Sequence, residues 1–190
     1  TGVTGIAYET VTSSDGSMPL LAPMSTIAGQ LAFVVGSYHL LKHNKGKGVM
    51  IGHMDDMDPR VVTVIGAGVA GTQSILKAID NKALVKVVDS SQSKLDDLKS
   101  KYGTENVEYI LSSKDSIQVS VNESDLVIGS VYVVGKEAPK VITKDMLSSM
   151  NPGTVMVDIS IDQGGCFETS KPTTHDSPTF LENDIVHYCV

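Results

Sequence analysis

The segment Val61-Val62-Thr63-Val64-Ile65-Gly66-Ala67-Gly68-Val69-Ala70-Gly71 limits the fold of this chain more than any other stretch. Its first five residues read as a buried strand, and helical spacing runs from Val69 to Ile79. Three glycines in the pattern G-x-G-x-x-G join the two. Gly66 permits the tight turn, Gly68 lacks the Cβ that would hold a phosphate off the backbone, and Gly71 lets helix and strand approach. The helix N-terminus adds unpaired N–H groups and the positive end of a dipole. Gly66, Ala67, Gly68, Val69, Ala70 and Gly71 are therefore candidate residues for holding the pyrophosphate of a dinucleotide. Such a turn can also bind nothing, or hold another adenosine ligand such as S-adenosylmethionine. Strand, glycines and helix in register favour the dinucleotide.

An acid in the right place sharpens this. The second strand ends at Asp89, eighteen positions after Gly71. A carboxylate there accepts hydrogen bonds from ribose hydroxyls and repels a 2′-phosphate, which favours NAD over NADP. Lys94 is a candidate cofactor contact that would complicate the preference, and reads equally as a solvated helix residue.

The units around the loop alternate. Strands are expected at 61–65, 84–88, 107–111, 125–130 and 155–159, and helices at 69–79, 91–101, 115–121 and 143–150, the last capped by Thr143. Such alternation means parallel βαβ units with right-handed crossovers, so the fold class is α/β, a doubly wound, mostly parallel sheet. Before it, 5–11 alternates like a strand, 13–16 is a turn, and Ser25 N-caps a long helix with Ile27, Leu31, Val34, Val35, Tyr38 and Leu41 at helical spacing. The tail after Glu168 reads as loop until a last strand at 185–190.

A net charge of −7 argues against binding a nucleic-acid backbone, which needs a basic face. No apolar run is long enough for a membrane span and no signal segment opens the chain. Cys166 and Cys189, without Cys-x-x-Cys spacing, read as free thiols in a reducing compartment, hence a cytoplasmic location.

Several strings resemble alanine dehydrogenase, of the alanine dehydrogenase/nicotinamide nucleotide transhydrogenase family. They are Ile6-Ala7-Tyr8-Glu9-Thr10-Val11, Pro19-Leu20-Leu21-Ala22-Pro23-Met24-Ser25, the Gly66 loop, Val157-Asp158-Ile159-Ser160-Ile161-Asp162-Gln163-Gly164-Gly165, Thr173-Thr174-His175-Asp176, and Val186-His187-Tyr188-Cys189-Val190. The resemblance implies NAD-dependent oxidative deamination of L-alanine to pyruvate and ammonia. It also implies Asp162 as the catalytic aspartate beside the nicotinamide, Ser25 as a contact to the cofactor phosphates, and Asp89 as the ribose acid. Ser130, Val131 and Ile159 would line the nicotinamide pocket, and the assembly would be a homo-oligomer, a hexamer in the family. Hydride loss from the alanine Cα leaves an iminium that water attacks, so a proton acceptor such as Asp162 is needed. On local sequence alone, Asp162 serves equally well as a cap for the Gly164-Gly165 turn.

The resemblance divides the chain into 1–24 as part of a catalytic domain, 25–45 as a connecting helix and 46–190 as the cofactor domain, with 170–190 returning towards the catalytic domain. The family's substrate-binding arginine and lysine and its catalytic histidine belong to a segment preceding the match, so the expectation is a cofactor portion inactive alone. Two other readings stay open: the NAD-binding component of a transhydrogenase, against which the Tyr-Glu-Thr-Val and Ile-Asp-Gln-Gly-Gly strings count, and a noncatalytic NAD-binding redox sensor. The loop His53-Met54-Asp55-Asp56-Met57-Asp58 departs from the family's Gly-Val-Pro-Gly-Val-like pattern and reads as a solvated acidic loop. His39 and His43 have metal-ligand spacing but no third ligand, so no metal site is expected. His175 reads as a hydrogen-bonded loop residue and Cys166 as non-nucleophilic.

Overall fold

A computed structural model describes residues 2–52, 55–133 and 136–190; His53 and Met54 of the acidic loop lie outside the described residues. Strands β1 (Val61–Ile65), β2 (Leu84–Asp89), β3 (Val107–Leu111), β4 (Leu126–Gly129), β5 (Val155–Asp158), β6 (Thr179–Glu182) and β7 (Ile185–Tyr188) make one sheet in the order β3-β2-β1-β4-β5-β7-β6. Every pairing is parallel except β6 with β7. Val62 and Val64 face one side of β1, Thr63 and Ile65 the other, and all four are buried, as expected of a central strand covered on both faces.

Among the described residues five helices cover the sheet: α1 (Leu21–His39), α2 (Val69–Asp80), α3 (Gln92–Tyr102), α4 (Lys114–Glu123) and α5 (Lys144–Leu147). Ala32 and Phe33 of α1, Ile75 and Ala78 of α2 and Leu95 of α3 share one core with Val62, Val64, Val85, Val87 and Leu126. Ile117 and Val121 of α4 and Met146 and Leu147 of α5 share the opposite core with Ile65, Val88, Val127 and Met156. Thr63 on that second face is paired with the Ser124 hydroxyl at 2.6 Å, so its buried oxygen is satisfied.

Four details differ from the sequence expectations. Residues 5–11 form no strand, only a 3₁₀ turn at Tyr8–Thr10, because no sheet edge pairs with them and Ile6 and Tyr8 stand exposed. Helix α1 begins at Leu21, so Ser25 lies inside the helix and is not its cap. Pro23 occupies the first turn, where its missing N–H forgoes no bond. At α5, Thr143 makes no side-chain cap; the Glu168 carboxylate takes the Lys144 N–H at 2.7 Å instead. Finally, β6 interrupts the expected tail loop. It joins β7 through Asn183 and Asp184, both with positive φ (50° and 59°), the signature of a tight hairpin turn.

Candidate functional site

From β1 the chain runs through β2 to β3 on one side and, after α4, resumes at β4 on the other. The carboxyl ends of β1 and β4 therefore flank a topological switch point, where open sheets of this kind leave a crevice. The glycine loop sits there. An added Cβ on Gly71 would lie 1.8 Å from the Gly66 oxygen, and one on Gly66, whose φ is +100°, would lie 2.6 Å from the Ser130 carbonyl. These two glycines are needed for packing. Gly68 differs: nothing lies within 4 Å of its missing Cβ, although it is the N-cap of α2 and makes no side-chain cap. Open space before the free N–H groups of a helix is the cradle that a pyrophosphate fills.

Two side chains fix the loop. Asp89, buried at the end of β2, accepts the Ala67 N–H at 2.7 Å on one oxygen and the Ser91 N–H at 2.8 Å on the other. Each oxygen keeps a lone pair that a ribose hydroxyl can use. Ser130, buried after β4, donates its hydroxyl to the carbonyls of Ile65 and Gly66 at 3.0 and 2.8 Å. Its side chain thus braces the turn. Lys94 is exposed in the first turn of α3, whose N-cap is Ser91.

Helix α1 packs along α2. Ser74 donates to the Gly29 carbonyl at 2.7 Å, and a Cβ on Gly29 would lie 2.0 Å from the Ala70 oxygen. Gly36 meets Leu126 at the start of β4, so α1 descends from the crevice end of the sheet. Ser25, one helical turn before Gly29, is thereby placed towards the glycine-loop end.

The remaining expected residues follow β4 and β5. Val131 and Ile159 are partly buried at these strand ends, and the Ile159 N–H bonds Gly129 at 3.0 Å. Asp162 is exposed on a 3₁₀ turn (Ile161–Gln163) and makes no hydrogen bond or ion pair with another described residue. It does not cap the Gly164-Gly165 turn, whose N–H groups bond the Ile161 and Ser160 carbonyls.

That structural role falls to residues the sequence reading passed over. Asp158, 1% exposed, accepts N–H groups from Ser160 (2.9 Å), Cys166 (2.8 Å) and Phe167 (3.3 Å), and the Ser170 hydroxyl at 2.5 Å. The Gln163 amide spans to the backbone of Val133, donating at 3.3 Å and accepting at 3.4 Å, while the Ser160 hydroxyl donates to Val131 at 2.8 Å. Lys140 donates to the carbonyls of Gly164 and, at 2.6 Å, Gly165. The loop bearing Asp162 is thus tied to the loop after β4. An aspartate ending a strand with serine two residues later is the local signal that marks Asp158.

Cys166 is buried beside Asp158; burial first, and then that carboxylate, push its thiol well above the ordinary range, which leaves it unreactive. Burial likewise raises Cys189 to about 11. His175 is exposed in its loop, and His39 is buried at the end of α1. Among the described residues no three His, Cys, Asp or Glu side chains converge as a metal site, and no helix is long and apolar enough to cross a membrane.

Residues 32–190 match the family model described as alanine dehydrogenase/PNT, C-terminal domain. The chain is 49% identical over 189 residues to an alanine dehydrogenase of Halomonas elongata, covering all of this chain and 51% of that protein. It is 47% identical over 190 residues to one of Mycobacterium tuberculosis, with the same coverage. A solved L-alanine dehydrogenase superposes with a TM-score of 0.93 at 39% identity, over 97% of this chain and 51% of that one. The chain therefore spans about half the length of the curated relatives it matches.

Proposed function

The chain belongs to the alanine dehydrogenase/PNT family, and we propose that it is the cofactor-holding half of an NAD-dependent alanine dehydrogenase. The substrates of the whole protein would be L-alanine in one direction and pyruvate with ammonia in the other. The observation that carries this reading is the pairing of an open, glycine-lined helix N-terminus with an exposed carboxylate, Asp162, that has no partner among the described residues, on a loop fastened at the same end of the sheet.

The residues present fit the cofactor. Backbone N–H groups at Gly68, Val69 and Ala70 hold the pyrophosphate, with Gly66, Ala67 and Gly71 shaping the turn and Ser25 approaching from α1. Asp89 takes the adenosine ribose and disfavours a 2′-phosphate, which is why NAD rather than NADP is proposed; Lys94 lies at the rim. Ser130, Val131 and Ile159 border the nicotinamide end. NAD, when bound, supplies the hydride acceptor. Asp162 then acts as the base that takes the proton from the attacking water. Its exposure in this half suits a group that meets substrate held by the other half. Two buried, unpaired cysteines support a reducing, cytoplasmic setting.

The test is Asp162→Asn in the protein with both halves present. Loss of general-base catalysis costs kcat about 10²–10⁴-fold, with NAD affinity unchanged. Full turnover in this variant would refute the role of Asp162, whereas no turnover of L-alanine by the wild-type protein with both halves present would leave a noncatalytic NAD-binding module as the better reading.

A further inference from the structure

Asp162 has no side-chain partner among the described residues, so the backbone of its turn alone sets where its carboxylate stands. Upstream, that turn is anchored by Ser160, whose N–H bonds the Asp158 carboxylate at 2.9 Å and whose hydroxyl bonds the Val131 carbonyl at 2.8 Å. Downstream, Gly164 and Gly165 both take positive φ (83° and 77°), and their carbonyls converge on one ammonium. Lys140 Nζ donates to Gly165 at 2.6 Å and to Gly164 as well. A lysine suits carbonyls left free at the end of a helical turn. Lys140 is also held in register for the contact. The Ala138 N–H bonds the Gln163 carbonyl at 2.9 Å and the Val141 N–H that of Cys166 at 2.8 Å, so the loop is gripped on either side of it. Unlike Lys47, Lys86 and Lys144, Lys140 has no carboxylate partner among the described residues.

We propose that Lys140 is a positioning residue for the reaction: by bridging the Gly164 and Gly165 carbonyls, it fixes the Asp162 carboxylate relative to substrate. The inference rests on the reading of Asp162 as the base. Magnitudes favour positioning over stability. Lys140 is exposed, so water takes over at its carbonyls when the side chain loses its charge, and the fold gives up little. A reacting group displaced by about 1 Å, by contrast, can cost about a hundredfold in rate. Water satisfies the two carbonyls but does not tie them to residues 138–141, and that tie is what the ammonium adds.

Steady-state kinetics of Lys140→Met in the protein with both halves present test this. We expect kcat to fall about 10–100-fold, while the KM for L-alanine, the Kd for NAD and the melting temperature stay near wild type. Lys140→Arg, whose guanidinium also spans two acceptors, should recover most of kcat. In an Asp162→Asn background, K140M should cost no more than about twofold further, because its effect passes through that carboxylate. Wild-type kcat in K140M, a loss that K140R does not relieve, a loss explained by weaker NAD binding or a lower melting temperature, or an undiminished loss in the D162N background would each overturn the inference. Full turnover in K140M beside an inactive D162N sinks the positioning role alone. Full turnover in D162N removes the base itself, and with it anything for Lys140 to position.

Discussion

Asp158 and Asp162 lie four positions apart and differ in what surrounds them. The first is buried and accepts hydrogen bonds from three backbone N–H groups and a hydroxyl; the second is exposed and accepts none from the described residues. Truncating Asp158 to alanine orphans those donors, so Asp158→Ala should cost on the order of 3 kcal/mol in denaturant unfolding. Asp162→Asn should cost almost nothing in stability. A second residue-scale consequence concerns His187, fully buried between the Thr169 hydroxyl at 2.8 Å and the Ile185 carbonyl at 3.1 Å. Burial, the largest cause, lowers its pKa, so the folded state keeps it neutral. As pH falls below the unfolded value near 6.5, the unfolded chain binds a proton the folded chain refuses. Stability should therefore fall from about pH 6.5 downward, until the lowered folded pKa is reached, by up to about 1.4 kcal/mol per pH unit from this residue. His39, lowered by burial and then by His43, adds in the same direction. A His187→Gln variant should flatten the slope, and an unchanged slope would assign the pH dependence elsewhere. Asp162 was visible in the sequence through its family string, whereas the role of Asp158 depends on contacts from residues up to twelve positions away.

At the level of elements, the glycine loop separates packing from binding. Gly71→Ala drives a Cβ to 1.8 Å from the Gly66 oxygen and should destabilise by roughly 2–3 kcal/mol. Gly68→Ala meets nothing in the protein, so it should cost under about 1 kcal/mol as a poorer N-cap. It should nonetheless weaken NAD at least about tenfold by filling the phosphate cradle. Equal effects of the two substitutions on stability would contradict this division. The strands β1 to β5 are legible to within a residue or two: β1, β4 and β5, buried on both faces, are near-continuous apolar runs between turn residues, and the edge strand β3 is a shorter run between turns. Proline and serine both look like helix openings, so the sequence places the start of α1 at Ser25, whereas the helix begins at Leu21 with Pro23 inside its first turn. Strand β6 is not legible although Asn183-Asp184 fits the hairpin turn; four residues beside a proline, three of them partly exposed and one exposed, carry too little alternation. The 5–11 segment shows the converse: alternation predicts a strand only where an edge exists to pair with it.

Among the described residues, seven strands and five helices place every proposed cofactor residue at one end of one sheet, drawn from α1, α2 and α3 and from the ends of β1, β2, β4 and β5. The account therefore requires this chain to bind its cofactor without the rest of the protein, and to choose between two cofactors through Asp89. Calorimetric titration of the purified chain with NAD and with NADP measures both at once. Saturable one-site binding of NAD, with NADP at least about tenfold weaker, is the expected result. Absence of NAD binding to the folded chain, or equal affinity for NADP, would contradict the assignment.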